Sequence, residues 1–135
     1  MAKAVEDTAF YRYVRFSALN EVGGDPTVFG RSIDSFHRAN ERRAERWPRS
    51  MLATSTHDTK RSEDVRSRLA LLSEIPEAWS ATVTRWSELN EGHRTDGFSD
   101  RGAEYLLYQA LVGAWPLDTE RTTAYMEKAT REAKL

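Results

Sequence analysis

The positions of the four prolines constrain the fold of this chain most strongly. A proline inside a helix removes a backbone hydrogen bond and clashes with the preceding turn, so helices start or end near it. Pro48 follows one stretch of helical apolar spacing, Pro76 lies at the start of another, and Pro116 ends a third. Pro26 lies in a loop that also holds two glycines. This pattern predicts several short helices with short connections.

Apolar residues between these breaks repeat at helical rather than alternating intervals. Val65, Leu69 and Leu72 follow an i, i+4, i+7 pattern that is typical of one buried helix face. Helices are predicted at residues 6–20, 32–46, from 62, from 76, at 100–115 and from 118 or 119 onward, with a loop at 91–99. Serine or aspartate precedes several of these starts and can cap them.

The fold class that follows is mainly α. We expect a helical assembly of about five helices with one or two very short strands. The strand candidates are Met1–Val5, which could equally be a frayed start, and the strand-like run Met51–Thr54. At 135 residues the chain suits one domain and is too short for a complete (β/α)8 barrel, which typically needs roughly 250 residues.

Composition excludes several classes of partner. The chain has 20 Lys and Arg against 21 Asp and Glu, so it lacks a global field to hold nucleic acid or an anionic membrane. Its apolar stretches are far shorter than the roughly 20 residues of a membrane span, and its N-terminal residues lack a signal-peptide pattern. There is no cysteine, which excludes disulfides and thiolate sites. We expect a cytoplasmic protein.

Metal and cofactor sites are not expected. The three histidines are scattered and show no zinc-ligand spacing, and neither a phosphate-binding nor a dinucleotide-binding glycine motif is present.

The polar segment that follows Met51–Thr54 is the strongest site candidate. It contains His57, Asp58, Lys60 and Arg61, and such groups after a short buried strand are where barrel enzymes place catalytic residues. An imidazole and a carboxylate that converge at a turn could bind sugar hydroxyls. The same residues could instead be an N-terminal capping segment for the helix that begins near Ser62.

The N-terminal segment is the second candidate. Glu6 and Asp7 are adjacent acids, with Lys3, Tyr11 and Arg12 nearby. They could form a polar binding wall, or they could be a solvated helix start that the helix dipole favours.

Four segments of the chain resemble one known family. They are Met1–Tyr13 (MAKAVEDTAFYRY), Asn20–Pro26 (NEVGGDP), Met51–Arg66 (MLATSTHDTKRSEDVR) and Glu104–Pro116 (EYLLYQALVGAWP). In this order they resemble signatures of the maltooligosyltrehalose synthases, members of the α-amylase superfamily. The family commonly has Gly where Ala4 stands. The matches extend over nearly the whole chain, which makes the resemblance specific.

The resemblance implies a reaction. The family converts the reducing-end α-1,4 bond of a maltooligosaccharide into an α,α-1,1 bond by intramolecular transglucosylation, with retention of configuration. Retention requires one nucleophilic carboxylate and one acid/base about 5–5.5 Å apart. A third carboxylate, the Asp of a His-Asp pair, binds hydroxyls of the reacting sugar.

The family's roles transfer only to matching positions. Asp58 resembles the third carboxylate, a transition-state stabiliser, and His57 resembles the histidine that binds the same sugar. Lys60 and Arg61 are expected to line the acceptor side. The remaining substrate-binding candidates from the first signature are Lys3, Glu6, Asp7, Tyr11 and Arg12.

The nucleophile and the acid/base are expected to precede Met1, which matches an internal methionine of the signature. We therefore interpret the chain as a fragment. Residues 1–60 would be the end of the catalytic barrel and residues 61–135 the helical region after it. The isolated chain is predicted to be inactive, and its expected partners are the maltooligosaccharide and the remainder of the parent enzyme. The alternative is a non-catalytic helical module that binds carbohydrate or another protein.

Overall fold

The computed structural model describes residues 2–95 and 100–135, and the side chains from residue 5 onward within those ranges. The α-helices are α1 (Ala2–Arg12), α2 (Ile33–Arg46), α3 (Glu63–Glu74), α4 (Pro76–Asn90), α5 (Arg101–Ala114) and α6 (Thr119–Ala133). Short 3-10 turns lie at Ser17–Leu19 and Glu91–His93. The prediction of a mainly α fold is confirmed. Residues 96–99 of the predicted 91–99 loop lie outside the described residues.

Neither predicted strand is present in the described ranges. Residues of the first candidate form the start of α1, and Met51–Thr54 has no regular structure and is exposed. A strand requires a partner for its backbone groups, and in the described residues none lies beside either segment. The strand predictions were therefore wrong.

The predicted 6–20 helix is also shorter than expected, because Asn20 ends it. The Asn20 side-chain amide donates to the carbonyls of Phe10 (2.9 Å) and Tyr13 (2.7 Å). The last carbonyls of a helix lack partners within the helix, and Asn20 supplies them from a turn that follows. The chain thus folds back after Arg12 instead of continuing as a helix.

Side-chain caps fix the other starts as the sequence indicates. Ser32, Ser62, Asp100 and Asp118 each accept a hydrogen bond from a backbone N–H in the first turn of the helix that follows. Pro76 is the first residue of α4, where its missing N–H has no cost.

The main core lies where α1 crosses α5 and α6. Its buried members are Phe10, Tyr11, Leu106, Ala129 and Ala133. Because α1 belongs to the predicted 1–60 segment and α5 and α6 to the 61–135 segment, described parts of both segments share one core. Elsewhere α3 packs against α5 through Leu69, which approaches Gly113. In the described ranges no helix is long and apolar enough to cross a membrane.

Candidate functional site

An open groove of roughly 860 Å³ joins the two segments that the sequence singles out. From α1 it is lined by Glu6, Asp7 and Tyr11, and from the segment before α3 by Asp58 and Lys60. Val5, Ala9, Val22, Lys128 and Glu132 complete the lining. The chain folds residues about fifty positions apart into one polar surface.

An ion pair connects the two sides of the groove. The Lys60 ammonium lies 2.9 Å from an Asp7 carboxylate oxygen, and each side chain is 24% exposed. The hydrogen bond with Asp7 raises the pKa of Lys60 against the opposing effect of burial. The same ammonium lies 5.3 Å from the centre of the Phe10 ring. Lys60 is therefore a fixed cation at neutral pH.

Tyr11 lines the groove from α1. Burial raises the pKa of its hydroxyl, although Lys60 and Arg61 act in the opposite direction. The phenol therefore keeps its proton at neutral pH and can donate a hydrogen bond. Its ring belongs to the core, so the hydroxyl is held rigidly.

Asp58 and His57 lie on an exposed turn. Their side chains are 66% and 90% exposed, and His57 Nε2 is 3.4 Å from Asp58 Oδ2. The turn is closed by Thr56, whose hydroxyl accepts from the Asp58 N–H at 3.2 Å and whose carbonyl accepts from Thr59. Asp58 lines the groove, whereas His57 is not part of its lining.

The remaining predicted residues lie away from the groove surface or outside the described part. Arg61 is half-buried and donates to the Asn20 carbonyl at 3.4 Å. Arg12 is exposed at the end of α1. Lys3 belongs to α1, but its side chain is not among those described.

Both explanations of the 55–61 segment have support in the contacts. Ser55 Oγ accepts from the Glu63 N–H at 3.2 Å, and Ser62 accepts from Val65 N, so part of the segment caps α3. The capping residues are nevertheless not those that line the groove. Asp58 and Lys60 line the groove and are not among the capping residues.

Three residues that the sequence did not single out hold the groove together. Glu21 accepts from the Lys60 N–H, Asn20 caps α1, and Arg66 donates to carbonyls at both ends of the 54–61 segment. All three lie within the quoted motifs, so the motif match was the available signal. The Glu21 contact joins residues 39 positions apart, which spacing cannot indicate.

Chemically, the groove offers carboxylate acceptors, two ammonium donors from Lys60 and Lys128, and one phenol donor from Tyr11. Such a set can hydrogen-bond several hydroxyl groups of one ligand. Within the described residues no cluster of three or more His, Asp or Glu is arranged to hold a metal ion.

The chain is similar to proteins of much greater length. It is 42% identical to a Mycobacterium tuberculosis protein named maltooligosyl trehalose synthase over 98% of this chain and 17% of that protein. The maltooligosyltrehalose synthase structure from Arthrobacter ramosus is 51% identical, with a TM-score of 0.88, over 99% of this chain and 17% of that one. No family model matches the chain.

A third similarity is to another solved structure. The structure of a hypothetical maltooligosyl trehalose synthase from Sulfolobus tokodaii is 43% identical, with a TM-score of 0.86, and the chain covers 19% of it. The chain is thus homologous to a helical segment of much larger trehalose-forming synthases. It is similar to one segment of the maltooligosyltrehalose synthases that it matches, and it spans less than a fifth of their length.

Proposed function

We propose that this chain supplies part of the sugar site of an enzyme that converts the reducing-end α-1,4 bond of maltooligosaccharides into an α,α-1,1 bond. The reaction is an intramolecular transglucosylation, hence an isomerisation, in trehalose biosynthesis in the cytoplasm. The observation that carries the proposal is the groove, because it unites Glu6, Asp7 and Tyr11 of one motif with Asp58 and Lys60 of another.

Asp58 is assigned to stabilise the transition state. Glycosyl transfer passes through an oxocarbenium-like state, whose positive charge an adjacent carboxylate favours. Support comes from its position on the groove and its exposure, which leaves the carboxylate accessible to a ligand. His57, beside it, is assigned to the hydroxyls of the same sugar.

The other residues bind substrate. Lys60 and Arg61 are assigned to the acceptor side, where the released glucose must turn before it is attached again. Lys60 is suited to this role because its ammonium is held by Asp7 while part of it still faces the groove. The remaining residues of the proposed binding wall are Lys3, Glu6, Asp7, Tyr11 and Arg12.

The nucleophile and the acid/base are assigned to parts of the longer protein that this chain does not span. Among the groove acids, Asp7 is paired with Lys60 and Glu6 accepts from the Gly23 N–H at 2.9 Å. These contacts support roles in binding and positioning. We therefore expect the isolated chain to form no non-reducing product from maltopentaose, and such product would contradict the division of roles.

A segment exchange tests the function directly. The chain would replace the matching segment of the Arthrobacter ramosus synthase, to which it is 51% identical. We expect the chimera to form trehalose ends, and Asp58→Asn to lower its kcat by about 10²–10³-fold because the charge is removed while the shape is kept.

Two further results bear on this test. Glu74→Gln, an exposed carboxylate at the end of α3, serves as the matched control and should leave kcat unchanged. Full activity of the Asp58→Asn chimera would refute the catalytic assignment and favour a non-catalytic carbohydrate-binding module.

A further inference from the structure

Glu21 connects the loop after α1 to the segment that carries Asp58. Its carboxylate accepts from the Lys60 backbone N–H, at 2.9 Å to Oε1 and 3.2 Å to Oε2. Oε1 also accepts from the Val22 N–H at 2.9 Å. A carboxylate that accepts backbone N–H bonds makes charge-assisted hydrogen bonds, which are stronger than neutral ones.

Arg66 extends this connection from α3. Its Nη1 is 3.8 Å from Glu21 Oε2 and donates to the Arg61 carbonyl at 2.6 Å. Its Nη2 donates to the Thr54 carbonyl. Arg66 therefore joins the two ends of the 54–61 segment, and Glu21 attaches the same segment to the loop after α1.

The loop after α1, which carries Glu21, is itself attached to α1. Glu6 accepts from the Gly23 N–H at 2.9 Å, and Gly23 has a φ of 72°, a left-handed conformation that glycine adopts without strain. A closed path of contacts thus runs from α1 through Glu6, Gly23 and Glu21 to Lys60, and returns to α1 through Asp7.

Glu21 is not among the residues that line the groove. An effect on the reaction must therefore act through the residues it holds. We propose that Glu21, with Arg66, is a positioning residue that fixes the Asp58 turn and the Lys60 ammonium relative to α1. This inference depends on the proposed function, because it assigns Glu21 to the same site.

The placement of the Asp58 carboxylate depends on hydrogen bonds to its turn. Asp58 is mostly exposed, so packing alone does not hold it. Hydrogen bonds to Thr56 close its turn, and the Arg66 bonds at the two ends of the 54–61 segment hold that turn in place. A misplacement of about 1 Å in an active site can reduce the rate about 10²-fold. Loss of the Glu21 bonds should therefore reduce kcat much more than it changes KM.

The test uses the Arthrobacter chimera described above. Glu21→Ala should lower kcat about 10–100-fold, and Glu21→Gln, which keeps an acceptor for the Lys60 N–H, should recover most of it. Glu74→Ala, an exposed acid of α3, is the matched control and should leave kcat unchanged.

A double-mutant cycle separates positioning from a general effect on the fold. If Glu21 acts through Asp58, adding Glu21→Ala to Asp58→Asn should lower kcat by much less than Glu21→Ala does alone. Fully additive losses would overturn the proposal, as would an unchanged kcat in Glu21→Ala. If Glu21→Ala does not fold, Glu21→Asp, whose shorter side chain keeps the charge but loses reach, takes its place in the cycle.

The two proposals fail in different ways. Loss of activity in Asp58→Asn together with an unchanged kcat in Glu21→Ala overturns the positioning role and leaves the proposed function intact. Wild-type activity in Asp58→Asn overturns both, because Glu21 then has no catalytic group to position.

Discussion

Gln109 is fully buried and joins α5 to the segment that leads from α1 into the first 3-10 turn. Its carbonyl accepts from the Ser17 N–H at 2.7 Å, and its amide donates to the Val14 carbonyl at 2.8 Å. One side chain thus satisfies two backbone groups of a segment without regular hydrogen bonding. This contact holds the end of α1, and with it one wall of the groove.

We expect Gln109→Leu to lower the free energy of unfolding by about 2–6 kcal/mol. The substitution keeps the side-chain size but leaves a donor and an acceptor unpaired in the interior, at about 1–3 kcal/mol for each group. Urea denaturation of the 135-residue chain measures the change. Thr84→Val on the exposed face of α4 should shift stability by no more than about 0.5 kcal/mol, and an equal shift in both variants would contradict the prediction.

Single residues were the least predictable part of the site. Asp58, Lys60, Glu6 and Asp7 stood out because they are polar groups in motifs, but Gln109 lies on a mostly apolar helix and gave no local signal. Its partners are more than ninety positions away. The contact forms only because α1 and α5 cross in the fold, and the periodicity of apolar residues in the sequence does not indicate it.

At the scale of elements, local signals such as capping residues predicted where helices start. Contacts between residues far apart in the sequence decided where α1 ends and whether strands form. Ser32, Ser62 and Asp118 were recognisable as caps because capping depends on residues three positions apart. The end of α1 was not recognisable from the sequence, because Asn20, the residue that caps it, lies ten positions after Phe10. The strand predictions were wrong for the same reason. A strand needs a neighbouring strand to pair with, and a short apolar run does not specify one.

Gly113 sets the distance between α3 and α5. A Cβ added there would lie 2.9 Å from Val65 Cγ1 and 3.3 Å from Leu69 Cγ. Alanine normally stabilises a helix by about 0.5–1 kcal/mol over glycine, but overpacking costs about 1–3 kcal/mol. We expect Gly113→Ala to lower Tm. Gly92→Ala, where the added Cβ meets nothing within 4 Å, is the control and should not lower Tm.

Glu104 connects α5 to the turn after α4 and makes that connection depend on pH. Burial opposes its ionisation, but hydrogen bonds from Tyr108 (2.6 Å) and Arg94 (2.5 Å) outweigh it and lower the pKa of the carboxyl. A lowered pKa in the folded state adds stability above the unfolded-state pKa of about 4.3, and the gain is lost as pH falls through the folded-state pKa.

We therefore expect Glu104→Gln to flatten the acid limb of the stability curve. Urea midpoints between pH 7 and pH 3 would fall less steeply in this variant than in the wild-type chain. Glu88→Gln on the exposed side of α4 is the matched control and should keep the wild-type slope. Parallel acid limbs for Glu104→Gln and the wild type would rule out this role for Glu104.

At the scale of the whole molecule, stability is unevenly distributed. The α1, α5 and α6 core holds the groove, whereas no residue of α2 is buried. Apolar side chains on and beside α2 are exposed, Ile33 at 76% and Phe36 at 58%. An isolated helix of this length is marginal in water, because most helix stability comes from packing of an apolar face.

We expect amide hydrogen exchange to show the same difference between α2 and the core helices. In the 135-residue chain the α2 amides should exchange much faster than those of α5, since opening α2 breaks no core contact whereas opening α5 exposes Leu106 and Gln109. Mass spectrometry of peptides from 33–46 and 101–114 measures the difference. Equal protection of the two helices would contradict this prediction and would mean that α2 is stabilised by other contacts.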